Sequence, residues 1–193
     1  MLKQLQAACV LFLILTLLTG IAYPYLITSI ATFFFPWQAS GSLLMKNGQV
    51  IGSLFIGQYF KEPGYFWGRP SATQPVPYTA TASTGSNLGL LNPLLLQTVQ
   101  ERAHMLQKID PQNSRSIPID LVTSSGSGLD PDISPLSAHY QIPRIASARG
   151  IPEEQLRYLV EAQTQRRFLY LFGEPRVNVL KLNMAVDKMS KSK

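Results

Sequence analysis

Three stretches of this chain carry residue types that do chemistry. Ser83-Thr84-Gly85-Ser86-Asn87-Leu88-Gly89 is a Ser/Gly-rich loop just before an expected helix start. Backbone amides at such a place can bind anions. It is not a Walker A sequence, because the closing Lys-Ser/Thr pair is absent. Asp130-Pro131-Asp132 sets two carboxylates close together, but Pro131 and the following Ile133-Ser134-Pro135 do not match a calcium loop. Capping and turn formation are the simpler use of these acids. Ser127 lies between Gly126 and Gly128, yet the pattern is not a Gly-x-Ser-x-Gly elbow. The two histidines, His104 and His139, both fall in expected helices, where a solvated helix face is the simpler reading than a base. No pair of acids stands out as a glycosidase pair. These patterns single out no catalytic residue and no metal ligand.

The setting in which those residues are held follows from charge. Between Lys3 and Lys46 there is no charged side chain, and the run from Leu5 to Trp37 is almost wholly apolar. A bilayer core takes about 20 apolar helical residues to cross. A cleaved secretory signal, with Gly20-Ile21-Ala22 as its cleavage site, is the competing reading. The apolar character resumes from Tyr25 to Phe35, which serves an anchor and not a signal. Pro24 is expected to bend the span, with Thr28, water or a neighbouring helix serving the freed carbonyl. Trp37 suits the far interface. Lys3 and the terminal amine precede the span, so the N-terminus is expected to face the cytoplasm and the larger domain the outside. The expected organisation is an anchor over 1–39, an extracytoplasmic soluble domain over 40–187 and a basic tail over 188–193.

The chain has 193 residues, a net charge of +6 and only 15 % charged residues. After the anchor about 150 residues remain, enough for one compact domain. The basicity is scattered; Arg166-Arg167 and Lys188, Lys191 and Lys193 are its only local concentrations, and no aromatic-interleaved basic patch points to nucleic acid. Cys9, the only cysteine, falls in the span, so the domain has no thiolate, internal disulfide or Cys-based zinc site.

Within the domain, Gln49 to Gln58 reads as one or two short strands. Lys61 to Ser86, with Pro63, Pro70, Pro75 and Pro77, is a long loop. Tyr65-Phe66-Trp67 within it pack on the core or on a partner. Asn92-Pro93 opens a helix to about Lys108, with Leu95, Leu96, Val99, Ala103 and Leu106 on one stripe. Ile119 to Thr123 reads as a buried strand. Ser134-Pro135 opens a second helix, interrupted at Pro143 and resumed from Arg144 to Arg149. Pro152-Glu153-Glu154 opens a third, carrying Leu156, Leu159, Val160 and Phe168 inward and ending at Gly173. Val177 to Leu182 is either a strand or the entry to a last helix. The expected class is α+β, with one span, a small sheet and about three helices.

Thr123-Ser124-Ser125-Gly126-Ser127-Gly128-Leu129-Asp130-Pro131-Asp132-Ile133-Ser134-Pro135 closely resembles a signature of the KdpC subunit family of bacterial potassium-transporting P-type ATPases. Gly68 to Ala72, Gly85 to Gly89 with Asn92-Pro93, Gln141 to Ala146 with Ala148 to Gly150, and Gly173 to Asn183 are similar to further family segments, in the family's order. The resemblance implies a single-span accessory subunit of a high-affinity potassium uptake complex in the inner membrane. It implies two main partners, a channel-like potassium-selective subunit and an ATP-hydrolysing subunit. It also implies support of assembly and a role as a catalytic chaperone that raises the ATP affinity of the hydrolysing subunit. By that family proposal Ser83, Gly85, Ser86, Asn87, Leu88 and Gly89 touch nucleotide. The chain has no cofactor of its own by this reading, ATP entering only through the complex. Thr84 stands where the family has Gly, and Leu90-Leu91 where Pro and Ser/Thr are common; a Cβ at 84 works against close approach to phosphate. An outward-facing domain also does not meet cytoplasmic ATP. A cap over the outer face of the potassium-selective subunit is therefore expected, with contacts from the 61–86 loop, including Tyr65, Phe66 and Trp67, and from the 130–135 turn. A nucleotide-binding regulatory subunit and an unrelated membrane-tethered hydrolase are the alternatives.

Overall fold

The computed structural model describes residues 1–190, so Lys191 and Lys193 of the expected tail lie outside the described residues. The chain forms two compact units, Met1–Ile51 and Gly52–Lys193.

In the first unit, helix α1 (Leu2–Leu17) and helix α2 (Tyr23–Phe34) are joined by a π turn, Leu18–Ala22. Together they make one 33-residue helix with a mean hydropathy of 2.3 over its most apolar window and nothing buried. Pro24 has no amide to give the preceding turn, and the backbone widens there: the Tyr23 amide donates to Leu18, five residues back. Polar side chains turn inward on the backbone, Thr19 donating to the Leu15 carbonyl and Thr32 to the Thr28 carbonyl. Ser29 does the same with the Tyr25 carbonyl, and each such bond gives the hydroxyl a partner within the helix itself. A single turn, α3 (Pro36–Ala39), follows, with the Trp37 indole donating to the Leu43 carbonyl at 3.0 Å. Strands β1 (Leu43–Lys46) and β2 (Gln49–Ser53) form a hairpin. Asn47 and Gly48 make its turn, both at positive φ, the geometry that lets two residues reverse twisted strands. Only the first half of the expected 49–58 strand region is extended, and its partner β1 lies upstream.

The second unit is α+β. Its sheet has the order β3 (Asp132–Ile133), β5 (Arg176–Asn178), β4 (Thr164–Gln165), all antiparallel, with Ile133 and Thr164 both opposite Val177. Helices α5 (Pro135–Arg149), α6 (Glu153–Gln163) and α7 (Val179–Ser190) pack on it. The core joins Phe66, Ile133, Ile142, Ile145, Leu156, Val160, Val177, Leu182 and Val186. Helix α4 (Pro93–Ile109) closes a smaller cluster of Leu106, Leu121, Val122 and Tyr140, with Trp67 and Val99 against it. Leu96, expected on its inner stripe, is exposed.

Caps explain the helix starts. Asn92 accepts from the Leu94 amide at 2.9 Å, and Ser134 from the Ser137 amide at 3.1 Å. Gly150, at φ +63, ends α5 in the left-handed region. Three expectations are corrected, and one open alternative is decided. Pro143 does not interrupt α5, because the one carbonyl it orphans is served from outside: Arg115 donates to His139 at 3.1 Å, and Asn113 adds a bond to the next carbonyl, Tyr140, at 2.8 Å. Ile119–Leu121 is a 3-10 turn, not a strand, with Ile119 exposed. Helix α6 stops at Gln163, where Thr164 enters the sheet, so Phe168 is exposed and not inside. Val177–Leu182 is strand and then helix in direct succession. Lys188 lies within α7.

Candidate functional site

The 61–86 loop is drawn onto the domain by buried polar side chains. Asn183 accepts from the Phe66 amide at 2.8 Å and donates to its carbonyl at 2.9 Å. Gln141 does the same for Trp67, at 2.8 and 3.1 Å. Arg144 donates to the Pro63 carbonyl and stacks on the Trp67 ring at 4.2 Å; Arg149 donates to the Gly64 carbonyl and lies 4.4 Å from the Tyr65 ring. Burial pushes the Arg144 guanidinium down to about 10, against the pull of Asp110 and Tyr140. Phe66 is fully buried. The loop's aromatic centre is therefore core. This corrects the expectation that Phe66 forms a contact surface: its side chain has no exposed area to offer.

The Ser/Gly loop meets the 125–128 turn. The Thr84 amide donates to the Ser127 carbonyl at 2.9 Å and the Ser83 hydroxyl to the same oxygen at 3.0 Å. A Cβ on Gly85 would stand 2.9 Å from the Gly126 carbonyl oxygen, and one on Gly128, at φ +69, 2.6 Å from the Thr84 oxygen. These glycines let two backbones touch. Ser83, Thr84 and Gly85 are thus brought onto Ser127. Ser86, Asn87 and Gly89 project outward, Leu88 is half-buried, and Asn87 sits at φ +52.

The acids are spoken for. Asp130 accepts from the Asp132 amide at 3.0 Å and pairs with Arg69 at 3.4 Å. Asp132 pairs with Arg176 at 3.0 Å and accepts from Asn178 at 3.2 Å. Burial still raises the Asp132 carboxyl above its ordinary value. Among the described residues no group of three His, Cys, Asp or Glu side chains could hold a metal. Ser127 Oγ accepts from the Leu129 amide, while His139 Nε2 faces Glu161 at 3.1 Å and His104 is exposed. Nucleophile and base take separate partners.

A cleft of about 340 Å³ opens between the loop and α4, walled by Trp67, Tyr78, Leu106 and Leu121. Lys61, Arg69 and Arg102 line it, and no carboxylate does. Burial lowers the Arg102 guanidinium and raises the Tyr78 phenol, the latter helped by Asp130. Arg69 Nε is buried and, among the described residues, has no hydrogen-bond partner. None of Ser83 to Gly89 lines this cleft. Sequence inspection missed it, because its cations sit 41 residues and a tertiary fold apart at the extremes, Lys61 to Arg102.

The sequence pattern of the family described as "KdpC: K+-transporting ATPase, c chain" matches residues 5–188. The chain belongs to the KdpC family. Among its relatives, the potassium-transporting ATPase KdpC subunit of Polaromonas naphthalenivorans (strain CJ2) is 55 % identical over 185 residues, covering 96 % of this chain and 94 % of the relative. The KdpC subunit of Sorangium cellulosum (strain So ce56) is 55 % identical over 187 residues, covering 97 % and 98 %. That of Variovorax paradoxus (strain S110) is 54 % identical over 183 residues, covering 95 % of each. The KdpC pattern takes in the apolar helix as well as the α+β unit, and the helix fits a membrane protein.

Proposed function

We propose that the chain is an accessory subunit of a potassium-transporting ATPase and acts by docking, supporting assembly of the complex and having no reaction of its own. Its apolar helix packs in the inner membrane, and its α+β unit caps the outer face of the channel-like, potassium-selective subunit. The observation that carries this reading is a leucine patch on the segment entering α4. Leu90 is 87 % and Leu91 96 % exposed, and Leu94 in the first turn of the helix is exposed as well. Apolar side chains grouped this way mark a protein contact more often than solvent-facing surface. The test is a Leu90→Glu/Leu91→Glu double variant. The other subunits should fall away on purification in detergent, while the isolated variant unfolds where the parent does. Stoichiometric recovery of the intact complex would refute the docking role of this patch. Thiol labelling at Ser127→Cys in a Cys9→Ser background, with an impermeant reagent on intact cells, reads the side of the membrane.

The basic cleft favours one further reading, a nucleotide contact that raises the ATP affinity of the hydrolysing subunit. Three cations and the rings of Tyr59 and Trp67 suit a phosphate-bearing aromatic ligand. Equilibrium binding of a fluorescent ATP analogue to the full chain, lost on Arg102→Met, supports it; no binding to the parent chain rules it out.

A further inference from the structure

Strands β4 and β5 are the arms of a hairpin whose tip is Phe168-Leu169-Tyr170-Leu171-Phe172. Each of these five side chains is between 60 % and 83 % exposed, Tyr170 the most. The tip is fixed. Phe168 and Phe172 exchange both backbone bonds, at 2.8 and 2.9 Å, and Leu171 donates to Phe168 at 3.1 Å. Leu169 and Tyr170 lie at φ +52 and +60, the two central positions of a tight hairpin turn closed by that pair. At the base, Arg167 grips both oxygens of Glu174, at 2.8 and 2.7 Å. Arg166 is exposed and, among the described residues, has no carboxylate partner. The result is an exposed apolar tip with one uncompensated cation, Arg166, at its base.

We propose that this tip is a membrane-surface element that inserts among the headgroups of an anionic bilayer, with Arg166 against lipid phosphate. Successive side chains around a hairpin tip leave on different sides. A protein groove covers one side and leaves the others in water, whereas lipid surrounds them all. Tyr170, the most exposed, combines a ring with a hydroxyl, the chemistry that settles at headgroup level. Aromatic and leucine side chains flanked by arginine are what an interfacial segment carries, and an unpaired cation at its edge is attracted to anionic lipid. The same chain carries the 33-residue apolar helix, so a bilayer is tethered to this tip and its local concentration is high. The proposal rests on the membrane-span reading of that helix and is independent of the leucine patch.

The test uses the full chain alone in nanodiscs of mixed anionic and zwitterionic lipid. An environment-sensitive dye is placed at Leu171→Cys in a Cys9→Ser background, with Phe168→Cys as a second tip site and Gln107→Cys, exposed on α4, as reference. At both tip sites the emission should shift to the blue and be quenched by doxyl lipid, less so in purely zwitterionic discs; at the reference it should do neither. Tip sites quenched no more than the reference would overturn the proposal. So would a dye that is shielded only when the other pump subunits are added and stays untouched by doxyl lipid, since that places the tip in a protein groove.

Discussion

Replacing Asn183 by leucine isolates the clamp that holds the long loop. Asn183 is 2 % exposed, and both ends of its amide are bonded to the backbone of Phe66. Leucine fills a similar volume but leaves the Phe66 amide and carbonyl without partners. Each stranded buried group costs about 1–3 kcal/mol, and the added methyls return roughly 1 kcal/mol, for a net loss of about 3 kcal/mol. In a unit of this size that lowers the melting temperature by about 6–12 °C. Urea unfolding of the full chain in detergent, followed by the fluorescence of Trp67 next to the clamp in a Trp37→Phe background, reads the loss. Asn183→Asp adds a sign test. A carboxylate still accepts from the Phe66 amide but cannot donate to its carbonyl, and burial raises its folded pKa above the unfolded value of about 3.9. Between those two values the folded state binds the extra proton, so stability falls as pH rises. The variant should be least impaired near pH 4 and progressively worse toward neutrality. A loss below about 1 kcal/mol for the leucine variant, or a pH-independent deficit for the aspartate variant, would refute the clamp argument.

The backbone contact under the Ser/Gly loop predicts that Gly128→Ala costs about 2–3 kcal/mol, from left-handed strain and a Cβ 2.6 Å from the Thr84 oxygen. Gly126→Ala, with nothing within 4 Å, should stay within about 0.5 kcal/mol in the same unfolding assay. Arg115→Ala should cost about 1 kcal/mol in the parent, and less in a Pro143→Ala background where residue 143 regains an amide for the His139 carbonyl; a double-mutant cycle without coupling would disprove the link. Because burial raises the folded Asp132 carboxyl, its charged form is penalised, so the benefit of the native acid is greatest below its unfolded pKa and declines as pH rises through the folded one. The stability of the parent relative to Asp132→Asn should therefore fall from about pH 4 upward, as measured by paired denaturation curves.

Local signals were legible where one side chain decides the structure. Asn92-Pro93 and Ser134-Pro135 announce helix starts because cap and first-turn proline act within four residues. The Asn47-Gly48 turn carries an equally local signal, and reading it would have found β1 upstream. Tertiary partners decided the rest. Pro143 is tolerated because Arg115 arrives from a distant segment, which no window around the proline contains. The apolar run 168–172 looked like the buried end of a helix because periodicity does not distinguish a core face from an outward tip. For the candidate site, the family motifs were visible in order, but the Ser83–Ser127 contact spans 44 residues and the basic cleft assembles only when the loop folds onto α4.

Strand β5 ends at Asn178 and α7 begins at Val179, with no residue between them. Sheet pairing and helix phase are therefore one mechanical coordinate. Sliding the strand by one position would spin the following helix by about 100°, carrying Leu182 and Val186 out of the interior as Val177 leaves it. Asn178 locks the junction by holding the Lys181 amide at 3.0 Å and the Leu54 carbonyl at 2.9 Å. A single-codon insertion at this seam would thus wreck the whole unit, whereas one in the exposed stretch around Leu90 would pass unnoticed by the interior.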